Sequence, residues 1–189
     1  MKLNNTIIYL LGFAGVGKLT IAKELAKITG AKVVDNHLIN NPVFHILDND
    51  GIIPLLDAVW AKTRAIRSIV IEAIQELSPS HLSFIFTNEL FEKESHHQLF
   101  QGISDLANAR NAKFLCVRLL CDKDEIARRI ESPTRREMLK AINPSMAKEK
   151  FDKYKIIEPM AQHVHSLDIT KLSANEAALE IIRLLALKQ

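Results

Sequence analysis

Six glycines, six prolines and 6% aromatic side chains in 189 residues exclude a collagen-like repeat and a low-complexity disordered chain. Cysteine is scarcer still. Cys116 and Cys121 fall in one apolar run, at a spacing that suits neither a redox pair nor a zinc site. They are expected to be buried thiols in a reducing compartment. No apolar stretch approaches the ~18–20 residues that span a bilayer. The run that starts at Ile7 is broken by three glycines and stops at Lys18, with no small-residue cleavage site beyond. It does not read as a secretory leader, and a soluble, cytoplasmic chain with no membrane partner is expected.

Apolar material, by contrast, is ample. At 48% hydrophobic, residues 1–189 suit one domain with a substantial core. The net charge of +3 is too small to imply nucleic acid, but it is unevenly placed. Residues 110–155 hold 13 Lys and Arg against 7 Asp and Glu, while the remainder is net negative. A bound anion is therefore sought near that segment. No aromatic and basic stripe for stacking bases accompanies it, so nucleic acid is not expected as a partner.

Residues 6–11 are continuously apolar, the pattern of a strand buried on both faces. A glycine-rich turn leads into a helix over 19–28, which Gly30 stops before a short strand over 32–35. Asn40-Asn41-Pro42 and Asp48-Asn49-Asp50-Gly51 carry turn chemistry. Helical spacing then runs from Leu56 to Leu77. Strands are predicted over 81–87, 113–120 and around 166–169, with helices over 91–110 and 123–130. Ser173-Ala174-Asn175-Glu176 opens the last helix as a capping box. Strands and helices alternating five times predict an α/β fold with a parallel sheet covered on both faces.

The strongest local signal is Gly12-Phe13-Ala14-Gly15-Val16-Gly17-Lys18-Leu19-Thr20, placed after a buried strand and opening a helix. Glycines there let backbone N–H groups wrap a phosphate, the helix N-terminus adds partial positive charge, and Lys18 reaches the β and γ phosphates. This is the Walker A arrangement with one departure. The residue after the lysine is ordinarily Ser or Thr, whose hydroxyl ligates Mg²⁺, and here it is Leu19. Thr20 carries a hydroxyl one residue further on. No Asp ends the third strand as a Walker B carboxylate. Glu89 follows it instead, either reaching the metal through water or sitting solvated at a helix start.

The loop, a strand ending in Asp35 and an arginine-rich segment after the fourth strand together resemble the nucleotide- and shikimate-kinase-like branch of P-loop kinases. The likeness implies a three-layer P-loop NTPase fold with a five-stranded parallel sheet. It also implies a helical substrate-binding insert, over 36–78, and an Arg-rich lid, over 128–146. In such kinases one arginine before the lid packs on adenine and others within it contact phosphates. By position Arg128 or Arg129 takes the first role and Arg135 or Arg136 the second, unless they form a solvated basic face. The resemblance also implies an acidic residue that orients or deprotonates the accepting hydroxyl, here Asp35 with His37 next, although Asp35 could equally cap the following turn. Arg64 and Arg67, three apart on the insert helix, could grip a substrate carboxylate or phosphate or form its wet face. The expected function is transfer of the γ-phosphoryl group of ATP, with Mg²⁺, to a hydroxyl or phosphate of a small metabolite. The alternative is a nucleotide-binding regulatory module without efficient turnover, which Leu19 keeps open.

Overall fold

The computed structural model describes residues 2–47, 55–131, 143–159 and 163–186. Five strands, β1 (Thr6–Leu11), β2 (Lys32–Asp35), β3 (Phe84–Asn88), β4 (Lys113–Leu120) and β5 (Val164–Asp168), form a parallel sheet in the order β2-β3-β1-β4-β5. The described helices are α1 (Lys18–Thr29), α2 (Asn36–Ile46), α3 (Asp57–Glu76), α4 (Glu94–Ala109), α5 (Lys123–Ile130), α6 (Pro144–Lys153) and α7 (Ala174–Ala186). None of them is long and apolar enough to cross a membrane.

β1 shows why its sequence is apolar throughout: all six residues are buried. Its side chains alternate between two cores, as the two-residue period of a strand requires. Ile8 and Leu10 pack with α1, α5 and α7 on one face, through Leu25, Ile126 and Ile181. Ile7, Tyr9 and Leu11 pack with α3 and α4 on the other, through Ile74, Phe100 and Ile103. The helices that follow β1 and β3 therefore leave toward opposite faces. The carboxyl ends of these two paired strands are where a sheet of this kind holds its ligand.

The element ends follow the local chemistry of the sequence. Ser173 and Glu176 exchange their hydrogen bonds at the start of α7, each side chain accepting the other's backbone N–H. Cys116 and Cys121 are buried thiols, and burial pushes Cys116 up to about 12, far from a reactive thiolate. The turn expected at Asn40-Asn41-Pro42 is instead the middle of α2. Pro42 cannot donate to the Leu38 carbonyl one turn earlier. The helix continues because tertiary burial outweighs that lost bond: Ile39 and Phe44 are buried, and the Phe44 ring meets Trp60 of α3 edge-on at 5.7 Å.

Candidate active site

The glycine loop leaves the end of β1 and feeds directly into α1. Gly17 caps that helix at φ 107°, a left-handed conformation that any side chain would strain. Gly15 combines φ 92° with close packing. A Cβ built there would lie 2.8 Å from Ile130 Cγ1 of α5 and 3.2 Å from Ile126 Cγ2. α5 thus presses on the back of the loop and fixes its shape from below. Lys18 folds across the loop, donating to the carbonyls of Gly12 at 2.7 Å and Phe13 at 2.9 Å. Leu19 offers no oxygen, and Thr20 is exposed.

Arg128 and Arg129 are neighbours in sequence but have different surroundings. The Arg128 side chain is 72% exposed and forks onto Glu125 at 2.8 and 2.7 Å. Arg129 also meets Glu125, but its guanidinium turns inward to the Val16 carbonyl at 2.9 Å and to the carbonyls of Ile169 and Thr170 at 3.2 and 3.3 Å. It ties the phosphate loop to the segment that follows β5. The two arginines hold the Glu125 carboxyl down at about 2. Arg135 and Arg136, and with them the middle of the expected lid, lie outside the described residues.

At the same edge of the sheet, Asp35 ends β2 only 4% exposed. Its Oδ2 accepts the His37 backbone N–H at 3.2 Å and so caps α2, while its Oδ1 accepts the Thr87 hydroxyl. The His37 ring stays close, Nδ1 lying 3.6 Å from the same Oδ2. A buried polar chain continues behind them. The Tyr9 hydroxyl donates to Asn88 Oδ1 at 3.0 Å, Asn88 Nδ2 donates to Asn36 Oδ1 at 2.9 Å, and Arg67 Nη2 donates to the same oxygen at 2.7 Å. Arg67 can only donate, so Asn36 Oδ1 accepts, Asn88 offers its Nδ2 to that oxygen and its Oδ1 to Tyr9, and the Tyr9 hydroxyl, whose pKa burial raises, is the donor at the far end. Arg67 also reaches Asn40 Oδ1 at 3.4 Å, its buried Nε has no hydrogen-bond partner among the described residues, and burial lowers its pKa. Arg64, one turn earlier, is exposed.

Glu89, just past β3, touches the loop directly. Its Oε1 accepts the Ala14 N–H at 2.6 Å, and its Oε2 lies 3.5 Å from Lys150 Nζ on α6. Glu89 therefore joins the loop at the carboxyl edge of the sheet, where the register also ends β2 at Asp35 and β3 at Thr87 and Asn88, with Tyr9, Asn36, Asn40 and Arg67 in the polar chain beside them. Of these, Tyr9, Thr87, Asn88, Asn36 and Asn40 escaped the reading of the sequence. Two signals pointed to three of them: the Tyr9 hydroxyl in the middle of the apolar strand, and Thr87 and Asn88 as adjacent polar residues at the buried end of another.

The residues present fit a nucleotide. Backbone N–H groups, a helix N-terminus and Lys18 surround a turn too tight for a Cβ at Gly15, the donor set that a phosphate chain needs. Among the described residues no group of three His, Cys, Asp or Glu side chains is arranged to hold a metal ion. Mg²⁺ at such a loop needs less, because phosphate oxygens and water supply most of its ligands and the protein one or two oxygens. Glu89 is of that chemistry and Leu19 is not.

No protein-family model matches the sequence, and no curated protein matches it. Solved structures do. A gluconokinase from Sinorhizobium meliloti 1021 superposes with a TM-score of 0.63 at 16% identity, over 99% of this chain and 95% of its own. An APS kinase from Mycobacterium tuberculosis, solved with AMPPNP and APS, gives 0.57 at 16%, over 97% and 99%. A shikimate kinase from Acinetobacter baumannii, solved with shikimate, gives 0.54 at 15%, over 99% and 95%. With its five-stranded parallel sheet and flanking helices, the chain has the fold of small-molecule P-loop kinases.

Proposed function

We propose that the protein is an ATP-dependent kinase that transfers the γ-phosphoryl group to a hydroxyl or phosphate of a small metabolite. The observation that carries this reading is the placement of two groups at one edge of the sheet, since Leu10 of β1 and Asp35 of β2 both pair with Thr87 of β3. On one side is a phosphate loop with Lys18 folded over it, and on the other a buried carboxylate, Asp35, held by Thr87 and the start of α2. Phosphoryl transfer asks a protein for positioning and charge neutralisation more than for covalent chemistry. The loop N–H groups and Lys18 hold the phosphates and offset the charge that develops on them. Asp35 orients the accepting group and takes its proton, with His37 beside it. Arg67, with Arg64 one turn away, offers a cation to a carboxylate or phosphate on the acceptor. Bound Mg²⁺, approached by Glu89 and Thr20 through water, supplies further charge neutralisation. Arg135 and Arg136 keep the phosphate-contacting role that their sequence position suggests. The structural neighbours support the reading: one is a gluconokinase, and another was solved with a nucleotide analogue.

The test is nucleotide-induced thermal stabilisation of wild type and Lys18→Ala, followed by an acceptor panel of small hydroxyl and phosphate compounds scored for ADP release. Lys18→Ala should melt near the wild-type temperature without ligand and lose most of the stabilisation by ATP. Unchanged ATP affinity in that variant would sink the assignment of the loop. Leu19 favours a second reading, a module that binds nucleotide without useful turnover. An acceptor panel that never exceeds spontaneous hydrolysis, with ATP binding intact, would establish it.

A further inference from the structure

Glu89 places a carboxylate on the phosphate loop itself. Its Oε1 is bonded to the Ala14 N–H at 2.6 Å, and Ala14 belongs to a turn closed by the Val16 N–H on the Phe13 carbonyl. A phosphate cradled by so short a loop comes within several ångströms of that carboxylate. Lys150 offsets the charge weakly, since its Nζ is 3.5 Å from Oε2 and its side chain is 41% exposed. The position that ordinarily gives the metal a hydroxyl is Leu19, which gives it nothing. The same carboxylate thus opposes a bare triphosphate and favours one that arrives with a divalent cation.

We propose that Glu89 is a specificity-determining residue that makes nucleotide binding conditional on the cation, selecting metal-bound over metal-free ATP in place of the hydroxyl that Leu19 lacks. The inference rests on the reading of the loop as a nucleoside triphosphate site. Two like charges about 6 Å apart near a protein surface shift an equilibrium by on the order of tenfold to a hundredfold. The effect should be larger for ATP than for ADP, because the γ-phosphate adds charge at the end of the loop that Lys18 reaches.

The experiment is calorimetric titration of the full chain with ATP and with ADP, in EDTA and in excess Mg²⁺. Wild type, Glu89→Gln, Glu89→Ala and Lys18→Ala are compared. Glu89→Gln keeps an oxygen to accept the Ala14 N–H while removing the charge, and Glu89→Ala leaves that N–H to water. Wild type should bind ATP at least about tenfold more weakly in EDTA than in Mg²⁺. Both Glu89 variants should bind ATP in EDTA nearly as tightly as wild type does in Mg²⁺, with the gain for ADP smaller. If both keep the wild-type ratio while Lys18→Ala still weakens ATP, the site stands and the selection by Glu89 is wrong. A wild type that binds neither nucleotide under either condition overturns the nucleotide reading, and this inference with it.

Discussion

Arg128 and Arg129 carry the same charge, side by side, in the segment read as the approach to a lid, yet a helix turns adjacent residues ~100° apart. The outer one meets solvent and Glu125. The inner one fastens three backbone carbonyls, including that of Val16 in the phosphate loop. Hydrogen bonds to a charged group contribute more than neutral ones, and carbonyls left without a donor in a partly buried place are costly. Arg129→Ala should therefore lower unfolding stability by about 2 kcal/mol. It should also weaken ATP binding, because the loop loses the donor that fixes its shape. Arg128→Ala should leave unfolding stability unchanged within error. Urea denaturation midpoints, paired with ATP titrations, check this. Equal effects for the two variants would mean that the inward contacts of Arg129 contribute nothing. Spacing alone showed that these arginines cluster. Which one turns inward depends on packing against β5 and the loop, contacts of long sequence separation that periodicity does not encode.

At the scale of elements, the parts with strong local signals matched the sequence: the loop, β2, β4, α5 and the capping box at α7. The exceptions are elements whose limits depend on partners elsewhere. α2 runs through Pro42 because Phe44 and Ile39 are buried, which no turn rule anticipates. The start of α4 is another case. Lys93, its first flanking residue, provides no capping side chain, and His96 folds back so that its Nδ1 accepts the Phe91 N–H at 2.6 Å. That bond leaves the ring proton on Nε2, and the ring lies against Phe91. Burial, with Lys93 nearby, pulls the His96 pKa down from 6.5 to about 4. The folded state then binds fewer protons than the unfolded chain between these values, so stability rises with pH across that window. The contribution should be present above pH 6.5 and lost as pH falls toward about 4. The imidazole resonances of His96 should move with a midpoint near 4. Titration at the ordinary histidine value would show that the ring does not hold this position in solution.

For the molecule as a whole, the two sides of the candidate site rest on very different amounts of buried surface. The glycine-loop side is built on β1, β4 and α1, with side chains of the central core that are almost wholly inaccessible. The other side, through Asp35 and Arg67, is α2 and α3. Of the 20 residues of α3, Thr63 and Ile74 are buried, while Leu56, Ile69 and Leu77 at its ends and outer face remain exposed. What secures it to the sheet near the site is the polar chain through Arg67, Asn36 and Asn88, whose net contribution per bond is modest. Local opening should follow this division. Native-state amide exchange is expected to be slowest in β1, β3 and β4 and to require near-global unfolding. α2 and the first half of α3 should exchange through a smaller, separate opening that is less sensitive to urea. Arg67→Gln should speed exchange in α2 and α3 further and leave β1 unaffected, because it weakens the polar link without touching either core. If α2 and α3 instead exchange together with β1, one cooperative unit spans both sides. The side of α2 and α3 would then be as rigid as the loop side. A separate opening would mean that α2 and α3 can order independently of the central sheet. The choice between these rests on the gradient of exchange rates from β1 to α3.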